Sequence, residues 1–229
     1  MKPAYLLAIP ISIALFLLVY FGILWPNAFL AFPFSVKGID VSHFQNTIDW
    51  QKVADTKQYT FAYIKATEGH DFVDDKFAEN WKHARSSGLL TGAYHFFSMR
   101  SPGATQAEYF ISVVPKESDA LPPVIDVEIS TDQNKESVRK ELGNLQNRLE
   151  KYYGKKPIFY VTYDTYSAYI QDHFPGSEIW VRDIWKSPFV WRRQKWLIWQ
   201  YTNRGRVPGI NTYVDINVFG GNEADLKHL

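Results

Sequence analysis

The chain of 229 residues is long enough for one domain with a single core and too short for two large ones. It has 25 basic and 24 acidic side chains and a formal net charge of +1, so it lacks the large basic field that attracts nucleic acid. Cysteine is absent, which excludes disulfides, thiolate metal sites and a cysteine nucleophile.

The first segment, residues 4–25, reads AYLLAIPISIALFLLVYFGILW and carries no charged side chain. As one helix it would extend roughly 33 Å, enough to cross the hydrocarbon core of a bilayer. Tyr20 and Trp25 lie near its end, where aromatic rings favour the membrane interface. We therefore expect an N-terminal transmembrane helix, with residues 1–36 as membrane anchor and connector. A cleaved signal peptide, which would leave the protein secreted, is the alternative.

From residue 37 onward, short apolar runs alternate with helical patterns, as in strand-crossover-strand units. Eight runs predict strands: KGIDV, YTFAYIKAT, LTGAYHFF, PPVIDVEI, KPIFYVTY, EIWVRDI, WLIWQYT and TYVDINVF. Helices are predicted over residues 75–87, over residues 103–114 and before Gly154. In the last of these, Val138, Leu142, Leu145, Leu149 and Tyr152 recur at spacings of three and four.

These elements predict an irregular TIM-like β/α barrel over residues 37–229, with eight mostly parallel strands and fewer than eight helices. Residues 185–195 and 203–211 are too short or too broken for good crossover helices, which makes the barrel irregular. We expect the first strand to close beside the eighth, and the loops at the carboxyl ends of the strands to form the site.

Two acids stand one residue apart in LPPVIDVEIS, residues 121–130. In a strand, Asp126 and Glu128 share one face, and the apolar residues between and beside them take the other. Asp40 ends the first strand and Asp215 lies in the eighth, and barrel closure makes those two strands neighbours. Four carboxylates are therefore expected to converge on one opening.

Clustered like charges are costly and persist mainly where chemistry or a metal uses them. A single acid here would as readily be an ion-pair partner of Lys65 or Arg182. A metal held by these acids and His43 is disfavoured, because no second well-placed histidine is present. Glycoside hydrolysis needs one protonated and one ionised carboxyl, which Asp126 and Glu128 can supply without a cofactor.

Six motifs occur in order along the chain: GIDVSHFQNTIDW, FAYIKATEG, GAYHFF, VIDVEI, IFYVTY and WQYTNRGRVPGINTYVDINVF. From about Gly38 to the C-terminus, the chain thereby resembles glycoside hydrolase family 25, the Chalaropsis-type lysozymes. The resemblance implies an irregular β/α barrel that cleaves the β-1,4 bond between N-acetylmuramic acid and N-acetylglucosamine. Peptidoglycan glycan strands are thus the expected partner, and no metal or cofactor is expected.

The resemblance also implies roles for the four acids. Glu128 looks like the general acid and Asp126 like its partner, with Asp40 and Asp215 as flanking acids. The second step can use either the substrate N-acetyl oxygen or a protein carboxylate. We favour the N-acetyl group, oriented and polarised by Asp126.

Further residues of the same motifs are predicted to bind substrate, the aromatic ones by stacking on sugars and the polar ones by hydrogen bonds. They are Tyr63, Tyr94, Tyr160, Trp199 and Tyr201, together with Glu68 and Gln200. Core packing is the competing interpretation for each aromatic residue. His95 follows Tyr94 and should face the other way, as a structural histidine.

One stretch departs from the family pattern. In family members the tryptophan of the sixth strand usually begins the pattern W-x-A-x-Y, with a small residue and an aromatic residue after it. This chain reads WVRDIW over residues 180–185 instead. Arg182 and Asp183 either pair with each other or change which glycan or stem peptide is accepted.

Since peptidoglycan lies outside the cytoplasmic membrane, we expect an anchored monomer with its catalytic domain on the outer side. A membrane-tethered protein that binds peptidoglycan without cleaving it is the alternative. A metal-dependent deacetylase would need a histidine-rich ligand set that the sequence does not offer.

Overall fold

The computed structural model of the chain describes residues 5–21, 24–186, 188 and 195–229. The strands are β1 (Lys37–Val41), β2 (Phe61–Glu68), β3 (Phe72–Val73), β4 (Leu90–Phe96), β5 (Val124–Val127), β6 (Ile158–Val161), β7 (Ile179–Arg182), β8 (Ile198–Gly205) and β9 (Val214–Phe219). The α-helices are α1 (Tyr5–Tyr20), α2 (Pro26–Ala31), α3 (Trp50–Asp55), α4 (Phe77–Ser86), α5 (Gly103–Val113), α6 (Lys135–Tyr153), α7 (Tyr163–Thr165) and α8 (Glu223–Lys227). A 3₁₀ turn spans His43–Gln45 and a π-helical turn spans Tyr166–Ile170.

Eight strands close into a barrel in the order β1-β9-β8-β7-β6-β5-β4-β2, with β1 also paired to β2. Neighbours are parallel except for β9, which runs antiparallel to both β8 and β1. The two-residue β3 lies outside the barrel, against the end of β2. The predicted eight-stranded, mostly parallel barrel is confirmed. The described residues hold eight α-helices, two before β1 and six after it, and the prediction of fewer than eight concerned the barrel region alone.

Aromatic side chains fill the lower part of the barrel. Phe61 and Tyr63 alternate inward along β2 and are fully buried, and the Tyr63 ring lies 5.0 Å from that of Trp180. Two neighbouring strands make room with glycine: a Cβ at Gly38 would come within 2.4 Å of the Phe61 ring, and one at Gly92 within 2.2 Å of the Tyr63 ring. Aromatic rings therefore close the barrel below its mouth.

Helix α6 shows why the helical pattern was readable. The side-chain oxygen of Asn134 caps its first turn by accepting from the backbone N–H of Ser137, and Gly154 ends it at a φ of 74°. The apolar stripe from Val138 to Leu149 is buried against the barrel. The predicted helix before Gly154 is confirmed.

The N-terminal segment differs from the prediction. Helix α1 has 16 residues, and among the residues that the structure describes no helix is both long and apolar enough to cross a membrane. The predicted transmembrane helix is therefore not supported. Pro26 occupies the first position of a separate helix, α2, which packs on β8.

Trp25, expected at a membrane interface, lies instead in the folded domain. Its side chain is 6% exposed, and its indole N–H donates to the carbonyl oxygens of Ile184 at 3.0 Å and Tyr201 at 2.8 Å. The buried amide of Asn27 donates to the carbonyl of Asp183 at 2.9 Å. These contacts attach Trp25 and α2 to the barrel, while the domain boundary at residue 37 stays a prediction.

Candidate active site

The four acids meet at the carboxyl end of the barrel. Asp40 and Asp215 stand directly opposite each other across the β1–β9 pair, and Asp126 and Glu128 come from β5 and the residues after it. Two adjoining cavities of about 400 and 530 Å³ open there. Both are lined by the same five residues, which we call the acidic groove: Asp40, Tyr94, Asp126, Glu128 and Asp215.

Asp40 is held by two buried amides. Its Oδ2 accepts from Nδ2 of Asn217 at 2.7 Å and from Nε2 of Gln200 at 3.2 Å. Oε1 of Gln200 in turn accepts from the Tyr160 hydroxyl at 2.9 Å, and Oδ1 of Asn217 accepts from the Trp180 indole at 2.9 Å. This chain of bonds fixes both amide orientations. Burial raises the pKa of Asp40 to about 6, although the two amide donors act in the opposite direction.

Asp126 is 7% exposed, and its Oδ1 is buried without a hydrogen-bond partner among the described residues. Burial, followed by the charges of Glu128 and Asp40, raises the pKa of Asp126 well above its usual range. Burial and the charge of Asp40 do the same to the pKa of Asp215. Asp40, Asp126 and Asp215 therefore retain protons at pH values where isolated carboxyls have lost theirs.

Glu128 is the most accessible of the four acids. Its side chain is 35% exposed, and Oε1 lies 3.9 Å from Nε of Arg182. It follows directly on β5, so it reaches the groove from the rim, where a glycosidic oxygen can approach it. Its neighbour Asp126 lies deeper on the same face. The pair thus offers one accessible and one buried carboxyl.

Two predicted substrate residues line the cavities. Tyr94 borders both of them, and Tyr160 borders the smaller one. Burial, reinforced by the nearby acids, raises the pKa of each tyrosine well above its usual range, so both keep their protons. Gln200 lies beneath them, 1% exposed, and acts through Asp40 and Tyr160.

The other four predicted substrate residues, like Gln200, do not line either cavity of the acidic groove. Tyr63 is fully buried below the groove and donates to the carbonyl of Pro122. Trp199 and Tyr201 flank Gln200 on β8, so they face away from the barrel interior and pack in the outer core. Glu68 is ion-paired with Lys65 at 3.0 Å and with Arg100 at 3.6 Å.

Sequence reasoning missed two contributors to the groove. Asn217 follows Asp215 by two residues and so shares its strand face, a signal that was available. Trp180 closes the floor of the smaller cavity. Lys65, which the sequence offered as an ion-pair partner of the acids, lines the larger cavity. His95 is a structural histidine, as expected: it is buried between Thr67 and Gln106, and burial lowers its pKa to about 4.

Replacing Asp40 with asparagine is expected to stabilise the fold at neutral pH. Because the folded state raises the pKa of Asp40 from 3.8 to about 6, its contribution to stability is present below pH 4 and is lost as the pH rises through about 6. Asp40→Asn should therefore gain up to about 3 kcal/mol of unfolding free energy at pH 7.5 and little at pH 4.

Thermal unfolding at both pH values measures this effect. Asp119→Asn, at a surface ion pair with Arg85, is the control and should change little at either pH. An equal gain at both pH values for Asp40→Asn would contradict the assignment of a raised pKa.

Comparisons with known proteins place this geometry in context. The family described as Glycosyl hydrolases family 25 matches residues 39–210. Lysozyme M1 of Streptomyces globisporus is 34% identical over 214 residues, which cover 85% of this chain and 71% of that protein. A family 25 glycosyl hydrolase from Bacillus anthracis superposes with a TM-score of 0.81 at 45% identity, over 86% of this chain and 94% of that one. The bacterial lysozyme from Streptomyces coelicolor gives a TM-score of 0.76 at 31% identity, over 85% and 96%.

Proposed function

We infer from the acidic groove that this chain, which belongs to glycosyl hydrolases family 25, is a lysozyme that hydrolyses peptidoglycan. It is a glycosidase, and the bond that it cleaves is the β-1,4 link from N-acetylmuramic acid to N-acetylglucosamine. The observation that carries this function is the convergence of four carboxyls on one groove, with Glu128 exposed and Asp40 and Asp126 buried. Acid-catalysed glycoside cleavage requires one protonated and one ionised carboxyl, and unequal burial is a means of keeping two carboxyls in different protonation states.

In the proposed mechanism, protonated Glu128 donates its proton to the leaving glycosidic oxygen. The carbonyl oxygen of the substrate N-acetyl group attacks the anomeric carbon as that bond breaks. Asp126, whose Oδ1 lacks a partner among the described residues, holds and polarises the N-acetyl group. Water then opens the cyclic intermediate and returns a proton to Glu128.

Digestion of purified peptidoglycan, with mass spectrometry of the reduced products, tests the function. Products that end in reducing N-acetylmuramic acid are expected. Products that end in reducing N-acetylglucosamine would contradict the assigned bond. Binding without any cleavage would favour the alternative of a peptidoglycan-binding protein.

The role of the N-acetyl group can be tested separately. Glycan strands with a free amine in place of the muramic N-acetyl group should be cleaved about 100-fold more slowly or worse, because the internal nucleophile is lost. Strands with an N-glycolyl group, which keeps the carbonyl, are the matched control and should be cleaved normally. An undiminished rate on the amine would show that a protein carboxylate acts instead.

The enzyme is proposed to act on the outer side of the cytoplasmic membrane, where peptidoglycan lies. Attachment through the N-terminal segment stays a prediction that the fold does not support. Flotation of the full chain with phospholipid vesicles tests this attachment. A chain that stays at the bottom of the gradient would contradict the predicted membrane anchor.

A further inference from the structure

Arg182 stands at the mouth of the acidic groove. It shares the inward face of β7 with Trp180, whose buried indole closes the groove from below, so the guanidinium lies one layer nearer the opening. The Arg182 side chain is 36% exposed. Within the described part of the chain its guanidinium makes no hydrogen bond, and its ion-pair partner is Glu128 at 3.9 Å.

The neighbouring acid, Asp183, does not pair with Arg182. Oδ2 of Asp183 accepts from the Tyr163 hydroxyl at 2.6 Å, and Oδ1 accepts from the backbone N–H groups of Trp185 at 3.1 Å and Lys186 at 2.6 Å. The carboxylate of Asp183 therefore fixes the turn after β7. Of the two interpretations that the sequence left open, an ion pair between Arg182 and Asp183 is wrong.

The second cation near the acids is already bound. Lys65 donates to Glu68 at 3.0 Å and is packed beside the rings of Phe72 and Phe96, with its side chain only 11% exposed. Of these two cations, both in the part of the chain that the structure describes, Arg182 is therefore the one that keeps donors free for a ligand. A guanidinium offers a planar fork of N–H groups that matches a carboxylate with two parallel hydrogen bonds.

Four carboxyls repel any anionic part of a substrate, so such a part can be accommodated only beside a cation. N-Acetylmuramic acid carries a lactyl ether whose carboxyl is free in peptide-free strands and amide-linked where a stem peptide is attached. Stem peptides carry further carboxylates of their own. Both sources present the same chemistry to Arg182.

We propose that Arg182 is a specificity-determining residue that binds a carboxylate of the muramic acid unit. This contact replaces the ion pair between Arg182 and Glu128. The proposal rests on the proposed function of the groove. The exchange couples recognition to catalysis, because a guanidinium that turns to the substrate carboxylate leaves Glu128 free to face the leaving oxygen. The ion pair with Glu128, which is 3.9 Å long and has no hydrogen bond, is suited to such an exchange.

Two pairs of matched substrates test the proposal. The first is peptide-free glycan before and after its lactyl carboxyls are converted to methylamides, and the second is stem-bearing glycan before and after its stem carboxyls are converted likewise. The ratio of kcat/KM within each pair is measured for the wild type, Arg182→Met and Arg182→Lys. Arg148→Met is the control, since Arg148 pairs with Glu108 on the surface. Thermal unfolding verifies that each variant is folded.

The wild type should prefer the carboxylate over the amide about tenfold or more in one of the two pairs, which also identifies the source. Arg182→Met should bring that ratio to about 1, Arg182→Lys should retain part of it, and Arg148→Met should match the wild type. A wild-type ratio near 1 in both pairs, or a preference that survives Arg182→Met, would overturn the proposal. If the wild type cleaves none of the four substrates, the proposed function itself fails.

Discussion

Replacing Glu128 with glutamine should lower kcat/KM on peptidoglycan by about 10²- to 10⁴-fold, the range that a general acid contributes. Glutamine keeps the shape of the side chain but cannot give a proton to the leaving glycosidic oxygen. The fold should be unaffected, because the Glu128 side chain is 35% exposed and its contact with Arg182 is 3.9 Å long. The loss should therefore appear in kcat and not in the melting temperature.

Release of reducing ends from purified peptidoglycan, followed at several substrate concentrations, separates kcat from KM. Glu108→Gln is the matched control, since Glu108 pairs with Arg148 on the surface and should not affect turnover. If Glu128→Gln kept more than about a tenth of wild-type kcat, Glu128 would not be the general acid. Asp126 would then be the first residue to test in that role.

Truncating Trp25 to alanine should cost about 3–5 kcal/mol of unfolding free energy. The side chain is 6% exposed and packs 4.9 Å from the ring of Trp185. Its indole is also a donor to two backbone carbonyls, of Ile184 and Tyr201, which would lose that partner. A residue that the sequence places in a membrane segment is thus expected to be among those that hold the barrel together.

Urea unfolding of the full chain measures this cost. Phe29→Ala offers a control from α2, the short helix that follows Trp25, because Phe29 is 71% exposed and should contribute little. Equal midpoints for Trp25→Ala and Phe29→Ala would mean that Trp25 and α2 do not dock on the barrel in solution. Ile184 follows Arg182 by two residues, so undocking should also lower activity by loosening the end of β7.

The strands were readable as short apolar runs because most of their residues are buried on both faces, by the barrel interior on one side and by packed elements on the other. Strand geometry, in which residues two apart share a face, put Asp126 and Glu128 on a common face. Which other side chains join them was harder to predict. Trp199 and Gln200 are adjacent on β8 and were both assigned to the substrate, but neighbours on a strand face opposite sides, and only the amide points into the barrel.

Depth within the barrel was also unreadable. Tyr63 and Tyr94 both point inward from their strands, but Tyr63 lies in the layer that Gly38 and Gly92 leave open for rings, whereas Tyr94 lies at the mouth. Glu68 looked like a free polar contact until the fold placed Lys65 and Arg100 beside it. Depth and ion pairing depend on strand stagger and on loops, which are non-local.

By itself, the sequence determined the family, the eight strands and the convergence of the four acids, because each follows from local periodicity and from ordered motifs. Only the tertiary structure decided that Trp25 belongs to the barrel, that Asp40 is held by Asn217 and Gln200, and that Arg182 faces Glu128 and not Asp183. Those outcomes depend on contacts between residues distant in the chain, whose geometry is fixed only when the barrel closes.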